Sequence, residues 1–99
     1  MPTLHLAFED GFDDDTVVVR VDGREVTRRI GLRSSLATAL AATEDAQVGS
    51  GAGEVAVAVS SRGLTATRKV DFTAEPHLAI AIRDGALVLR TSREPFVYM

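Results

Sequence analysis

The chain has 99 residues, of which 45% are hydrophobic and 25% charged, with a formal net charge of −3. One globular domain covering residues 1–99 is expected, because a chain of this length can bury a core. The acidic balance argues against nucleic acid as a partner, and the apolar runs are too short to span a membrane. No cysteine is present, which excludes disulfides and thiolate metal sites. The first residues lack the pattern of a signal peptide, so a cytoplasmic location is expected.

The N-terminal third has the pattern of short strands joined by tight turns. Large apolar residues alternate with His5 and Ala7 over Leu4–Phe8, which predicts a first strand, and the acidic turn Glu9–Asp15 follows. Two further alternating segments, Thr16–Val21 and Arg24–Leu32, flank Asp22-Gly23. Asp-Gly between alternating segments is the strongest short hairpin signal, so we expect these segments to pair.

A two-residue loop fixes the register of that hairpin. It would place Val19 opposite Val26 and Arg20 opposite Glu25, an apolar pair and an ion pair that both favour pairing. Arg28 then falls on an apolar face, opposite Val17. We therefore expect Arg28 near a sheet edge or beside a bulge.

The segment Ser34–Val48 has two interpretations. Ser34-Ser35 could cap a helix that presents Leu36 and Leu40 on one side. The alternative is a loop followed by a short edge strand near Thr43–Val48. The regular spacing of turns elsewhere favours the loop and strand, with the glycine-rich residues 49–53 as a connector.

The C-terminal half continues the same pattern of strand pairs. Two pairs of apolar segments surround short turns: Glu54–Ser60 and Leu64–Phe72 around Ser61–Gly63, and His77–Arg83 and Ala86–Thr91 around Asp84-Gly85. The chain is therefore predicted to be a small antiparallel β-sandwich of about seven or eight short strands, built from three hairpins. The apolar ending Phe96–Met99 is expected to dock on the domain.

Two of these segments are apolar on both faces, whereas a half-exposed strand alternates apolar with polar residues. Their second faces carry small or branched aliphatic side chains: Ala56, Ala58, Ala79, Ala81 and Val88. The cover of this face could be an opposite sheet, the segment Ser34–Ala42, or a second copy of the chain. Since a large uncovered apolar patch is unusual in a monomer, these five residues are predicted to form a homodimer interface or a surface for a protein partner.

The acidic turn is the one polar cluster that suggests a ligand. Carboxylates on a loop between strands can supply calcium ligands, and Asp10, Asp13 and Asp15 are the candidate residues. The spacing does not match the helix–loop–helix calcium motif, which argues for an ordinary solvated turn. A ligand-binding module that uses this loop for calcium or a carbohydrate is therefore the alternative function.

Histidine and arginine give two weaker candidate sites. His5 and His77 both point away from the Leu and Ile faces of their strands. If those strands are neighbours, the two imidazoles could share a metal with an acidic residue. Ordinary surface histidines are the favoured interpretation, because no ligand spacing supports a site. Strand parity places Arg29 and Arg33 on the face of Arg20, where they could bind an anion or form a charge-mixed surface.

No motif of a nucleophile elbow, a phosphate-binding loop or a metalloprotease helix is present, so no catalytic residue is predicted.

The stretch from Ser61-Arg62-Gly63-Leu64 to Asp84-Gly85, with its Arg93–Phe96 ending, is similar to small uncharacterised prokaryotic β-sandwich proteins. At fold level the pattern resembles immunoglobulin- or transthyretin-like modules. The resemblance implies a fold class and transfers no functional residue. The expected function is a non-enzymatic module that acts through protein association.

Overall fold

The structure is a computed structural model that describes residues 2–35, 37, 40–49 and 51–96. It contains eight strands: β1 Thr3–Phe8, β2 Asp15–Val21, β3 Arg24–Leu32, β4 Ala42–Gln47, β5 Ala52–Val59, β6 Leu64–Asp71, β7 His77–Arg83 and β8 Ala86–Ser92. The described residues form no helix, and hence none long and apolar enough to cross a membrane.

The strands form two four-stranded sheets. Sheet A has the order β4-β1-β7-β8, and sheet B has the order β3-β2-β5-β6. Neighbouring strands are antiparallel, except that β1 and β7 run parallel in the middle of sheet A. The predicted all-β class is confirmed, and the two sheets pack as a sandwich. The parallel pair is a feature that the antiparallel prediction did not include.

The hairpin around Asp22-Gly23 keeps the predicted register only next to the turn. Arg20 lies opposite Glu25 as expected, but the register then shifts, so that Val19 lies opposite Thr27 rather than Val26. Arg28 consequently lies opposite Val18 instead of Val17. A β-bulge, in which one strand contributes an extra residue, accounts for the shift. Arg28 was expected near a sheet edge or beside a bulge, and it lies on the edge strand β3 of sheet B.

The segment before β4 follows the loop-and-strand interpretation. Strand β4 forms an edge of sheet A and pairs antiparallel with β1. The described part of the preceding loop is held by its backbone, since Ser34 N donates to Phe12 O and Ala41 N donates to Phe8 O. Leu36 lies outside the described residues. The helix that would have presented it is absent from the part of this segment that the structure describes.

The core lies between the sheets and consists mainly of aliphatic side chains. Its largest fully buried members are Leu4, Leu6, Phe8, Val17, Val19, Val48, Val55, Val57, Val59, Val70, Leu78 and Ile80. Each comes from the inward-facing set of an alternating strand or from a residue next to a strand, which is why the apolar pattern predicted these segments.

Arginines connect the sheets along both open edges of the sandwich. On one edge Arg29 of β3 donates to Glu44 of β4, and Arg24 donates to the carbonyl of Gln47. On the other edge Arg68 of β6 donates to Thr91 and to the carbonyl of Leu89 in β8. The long aliphatic part of arginine lets it border the core while its charged group reaches the opposite sheet.

Candidate functional site

The backbone of the acidic turn is fixed along β7. Glu9 N donates to Ile80 O at 2.7 Å, and Ile82 N donates to Asp10 O at 3.0 Å. Gly11 adopts a φ of +95°, and a Cβ built on it would lie 2.0 Å from the carbonyl oxygen of Ile82. Only glycine fits this close approach, so the turn is a packed structural element of the domain.

The turn does not gather its carboxylates around one point. Asp10 pairs with Arg83 at 3.1 Å, Asp13 with Arg33 at 3.5 Å, and Asp15 with Arg62 at 2.8 Å: three aspartates, three different arginines. Among residues 2–35, 37, 40–49 and 51–96, no group of three His, Cys, Asp or Glu residues is placed to hold a metal ion. Calcium needs six to eight converging oxygen ligands, so this geometry does not support the predicted site at Asp10, Asp13 and Asp15.

Asp15 belongs to a buried hydrogen-bond network that joins two turns. Its carboxylate is buried and accepts hydrogen bonds from Arg62, from the hydroxyl of Ser61 and from the backbone N–H of Asp13. Burial by itself raises the pKa of Asp15, but the hydrogen bonds from Arg62, Asp13 and Ser61 outweigh it and leave the pKa below its usual value. Arg62 also donates to Gly11 O at 2.9 Å, so one arginine ties the β5–β6 turn to the acidic turn.

An open cavity of about 500 Å³ lies beside the acidic turn. Its lining combines the side of the turn with the chain that follows β3: Asp10, Gly11, Phe12, Asp13, Arg33, Ser34 and Ser35. Ser34 connects the two segments, since its hydroxyl donates to Glu9 O and accepts from Phe12 N.

The five predicted interface residues do not form one surface. Ala56 and Ala58 belong to β5 of sheet B, whereas Ala79 and Ala81 belong to β7 and Val88 to β8 of sheet A. Because each set alternates with core residues of its own sheet, the two sets lie on the opposite outer faces of the sandwich.

Ala79 and Ala81 are covered by side chains of the same chain. Each is only 1% exposed. Arg90 of β8 is the register partner of Ala79. On the other side of β7, Glu9 comes directly after Phe8, the β1 residue that is paired with Ile80. The Arg90 guanidinium donates to both carboxylate oxygens of Glu9 at 2.7 Å, so this ion pair crosses β7 on its outer face.

An aromatic ring extends this cover. The guanidinium of Arg90 lies 4.9 Å from the ring centre of Phe96, a cation–π contact. The expectation that the C-terminal segment docks therefore holds for Phe96, and residues 97–99 lie outside the described residues. Of the two outer faces, the one with Ala79 and Ala81 is the less available to a partner.

The outer face of sheet B is more open and is organised in two rows. The rows across β3, β2, β5 and β6 are Arg28–Val18–Ala58–Thr65 and Glu25–Arg20–Ala56–Thr67. Ala56 and Ala58 are partly exposed at its centre. Ile30 of β3 is 78% exposed, and it is the large hydrophobic side chain that stands open to solvent among the described residues. Of the two central strands, β5 contributes the small side chains of Ala56 and Ala58, and β2 contributes Val18 and Arg20.

The two histidines lie side by side on the outer face of sheet A. His5 and His77 are direct partners in the parallel pairing of β1 with β7, and their rings stack with centres 4.7 Å apart and planes inclined by 18°. His5 Nδ1 lies 2.8 Å from a carboxylate oxygen of Asp45. Burial and the neighbouring His5 lower the pKa of His77, and the carboxylates of Glu94 and Asp45 oppose this shift.

The predicted arginine surface is dispersed among ion pairs. The bulge in β3 breaks strand parity, so Arg29 lies opposite Val17 on the inner side while Arg20 lies on the outer face. Arg28 pairs with Glu25 at 2.9 Å, and Arg33 reaches Asp13. These pairs favour a charge-mixed surface over an anion site.

Sequence reasoning missed the contacts that organise the acidic turn and cover the outer face of sheet A. The Arg62–Asp15 and Arg90–Glu9 pairs join residues 47 and 81 positions apart, so no local pattern indicates them. The one available signal for Asp15 was its position, since it begins a strand whose alternation places it on the inner face.

Comparison with known proteins identifies no relative. No protein-family model, no curated protein and no solved structure matches the chain.

Proposed function

We propose that this protein is a non-enzymatic β-sandwich module that associates with a second copy of itself through the outer face of sheet B. The observation that carries the proposal is the strip of small side chains on β5, where Ala56 and Ala58 stay partly exposed on the same outer face as Ile30 of the edge strand β3, which is 78% exposed. Apolar surface that a single chain leaves open is typical of a contact with another protein.

The charges on this face favour a second copy as the occupant. A two-fold axis running across the strands between Ala56 and Ala58 would place Ala56 of one copy over Ala58 of the other. The same rotation would bring Arg28 over the partner's Glu25 and Glu25 over the partner's Arg28. Each copy already holds an Arg28–Glu25 pair, so the contact would alternate these four charges, with Arg20 of each copy beside Glu25 in the same row.

The size of the face predicts weak, concentration-dependent association. Four strands spaced about 4.8 Å apart and about 27 Å long present roughly 500 Å² on each copy. The total buried area of about 1,000 Å² falls at the lower end of stable interfaces. A dimer that dissociates on dilution is therefore expected, together with a salt dependence from these alternating charges.

Sedimentation velocity over a range of concentrations, with the wild-type chain and Ala58→Arg, tests the proposal. Wild-type protein should shift from monomer to dimer as concentration rises, whereas Ala58→Arg should stay monomeric because a guanidinium would stand at the centre of the contact. The matched control is Ala74→Arg, which adds the same group at an exposed turn position outside the face. Circular dichroism should show the same β spectrum for all three proteins.

Two outcomes would contradict this function. A wild-type chain that remains monomeric at the highest concentration removes the self-association. A folded, monomeric chain whose unfolding temperature rises on addition of a sugar, with the rise lost in Arg33→Ala, favours a ligand-binding module that uses the cavity beside the acidic turn.

A further inference from the structure

A single row of polar side chains crosses all four strands of sheet A on its outer face. Its members in strand order are Asp45, His5, His77 and Ser92, each the direct register partner of the next. The row contains both histidines of the sequence. We propose that His5 and His77 form a two-histidine site for a divalent transition-metal ion that prefers imidazole, such as Zn²⁺ or Cu²⁺.

The hydrogen bond to Asp45 presents the correct nitrogen of His5 to a metal. A carboxylate only accepts, so Nδ1 of His5 donates in the 2.8 Å contact and Nε2 is the ring nitrogen left to face a metal. A metal-binding histidine commonly donates its other ring N–H to a carboxylate, which fixes the ring orientation and strengthens the ligand. Asp45 has the position of this supporting carboxylate.

The stacked rings bring two ligands within chelating reach. Metal–nitrogen bonds of about 2.1 Å require the two ligating nitrogens to lie roughly 3.4 Å apart. The ring centres are 4.7 Å apart and the planes nearly parallel, so a modest tilt of the two partly exposed rings about their side-chain torsions would bring the Nε2 atoms together. The site lies at the surface, where water molecules complete the coordination.

The environment of His77 supports the same assignment. The carboxylates of Glu94 and Asp45 act electrostatically on His77 and supply negative charge around a bound cation.

The experiment uses a chain without a purification tag, so that the two native histidines are the only imidazoles. Isothermal titration with Zn²⁺ alone should give one ion per chain. Electron paramagnetic resonance of bound Cu²⁺ should show coupling to two imidazole nitrogens. The second measurement needs no variant, so it stays decisive even where a substitution disturbs folding.

Three variants and a control assign the ligands. His5→Gln and His77→Gln should each weaken Zn²⁺ binding more than about a hundredfold. Asp45→Asn should weaken it about tenfold, since outer partners of metal-bound histidines typically contribute 10- to 100-fold. Asp13→Asn, which removes an exposed carboxylate of the acidic turn, should leave the affinity unchanged.

Several results would overturn the proposal. Absence of Zn²⁺ binding by the wild-type chain, Cu²⁺ spectra with one imidazole nitrogen or none, or unchanged affinity in either folded histidine variant would each exclude a chelating pair. Equal weakening by Asp13→Asn and His5→Gln would instead indicate diffuse attraction of cations to an acidic protein.

Discussion

Two glycines with similar backbone angles have different structural roles. Gly11 and Gly23 have φ values of +95° and +84°. A Cβ on Gly11 would overlap the carbonyl of Ile82, whereas a Cβ on Gly23 meets nothing within 4 Å. Substituting each glycine by alanine therefore distinguishes two free-energy costs. Gly23→Ala measures the cost of the left-handed backbone alone, and Gly11→Ala adds the cost of a steric clash.

Gly11→Ala should destabilise the protein by about 3 kcal/mol, because the backbone of the acidic turn has to move away from β7. Gly23→Ala, the matched control, should cost about 1 kcal/mol for its backbone angle alone. Urea unfolding followed by circular dichroism measures both free energies. Equal losses for the two variants would contradict the close packing of the turn on β7.

Asp15 makes the stability of the fold depend on pH. Its pKa in the folded chain is lower than the usual value of 3.8, so the unfolded chain binds this proton more tightly than the folded one. The contribution of Asp15 to stability is therefore present above pH 3.8 and is lost as the pH falls through the folded pKa.

Asp15→Asn should lower the free energy of unfolding at pH 7 by about 2–3 kcal/mol, because Arg62 loses its charged partner. The variant should also lose less stability between pH 5 and pH 2 than the wild type. Asp13→Asn is the control: its ion pair with Arg33 is exposed, so its effect should stay within about 0.5 kcal/mol. Parallel acid profiles for wild type and Asp15→Asn would contradict the assignment.

At the scale of elements, β7 is apolar on both faces for two separate reasons. Its inner face, with Leu78 and Ile80, belongs to the core, and its outer face lies beneath the Arg90–Glu9 ion pair. A planar guanidinium over methyl groups buries aliphatic surface while its edges stay hydrogen-bonded.

Arg90→Ala should uncover Ala79 and Ala81 and remove two hydrogen bonds from the buried carboxylate of Glu9. A loss of about 2–3 kcal/mol in unfolding free energy is expected, with increased binding of a hydrophobic dye by the folded protein. The matched control Arg33→Ala removes the exposed pair with Asp13 and should cost at most about 1 kcal/mol. If the two variants behave alike, the ion pair is not the cover of β7.

The local pattern predicted most elements but not how they combine. Asp-Gly turns give the strand ends and the pairing next to the turn, as Arg20–Glu25 and Ile82–Leu87 illustrate. The bulge between Val19 and Arg20 adds a residue without a composition signal, so every pairing beyond it was misplaced. The alternation of apolar and polar residues along a strand predicts which face of its sheet a side chain occupies. It does not predict to which of the two sheets the strand belongs.

At the scale of the whole molecule, the sequence does not tell which strands share a sheet. This is why the alanines of β5 and β7 were wrongly predicted to form one surface. Ala58 and Ala81 share the same local pattern, yet they lie on opposite sides of a sandwich. The pairing of β1 with β7 decides this arrangement, and it also brings the two histidines together. Parallel neighbours far apart in sequence have no turn between them, so sequence patterns do not predict their register.

The same pairing constrains the order in which the molecule can form. Strand β1 is synthesised before its parallel neighbour β7, which carries His77, 72 positions after His5. The four strands of sheet B lie between β1 and β7 in the chain, together with β4. Sheet B can therefore assemble while the centre of sheet A still lacks a strand. Closing that long loop should dominate the folding barrier, which places the chain among slow, topology-limited folders and leaves β1 vulnerable to wrong pairings until β7 arrives.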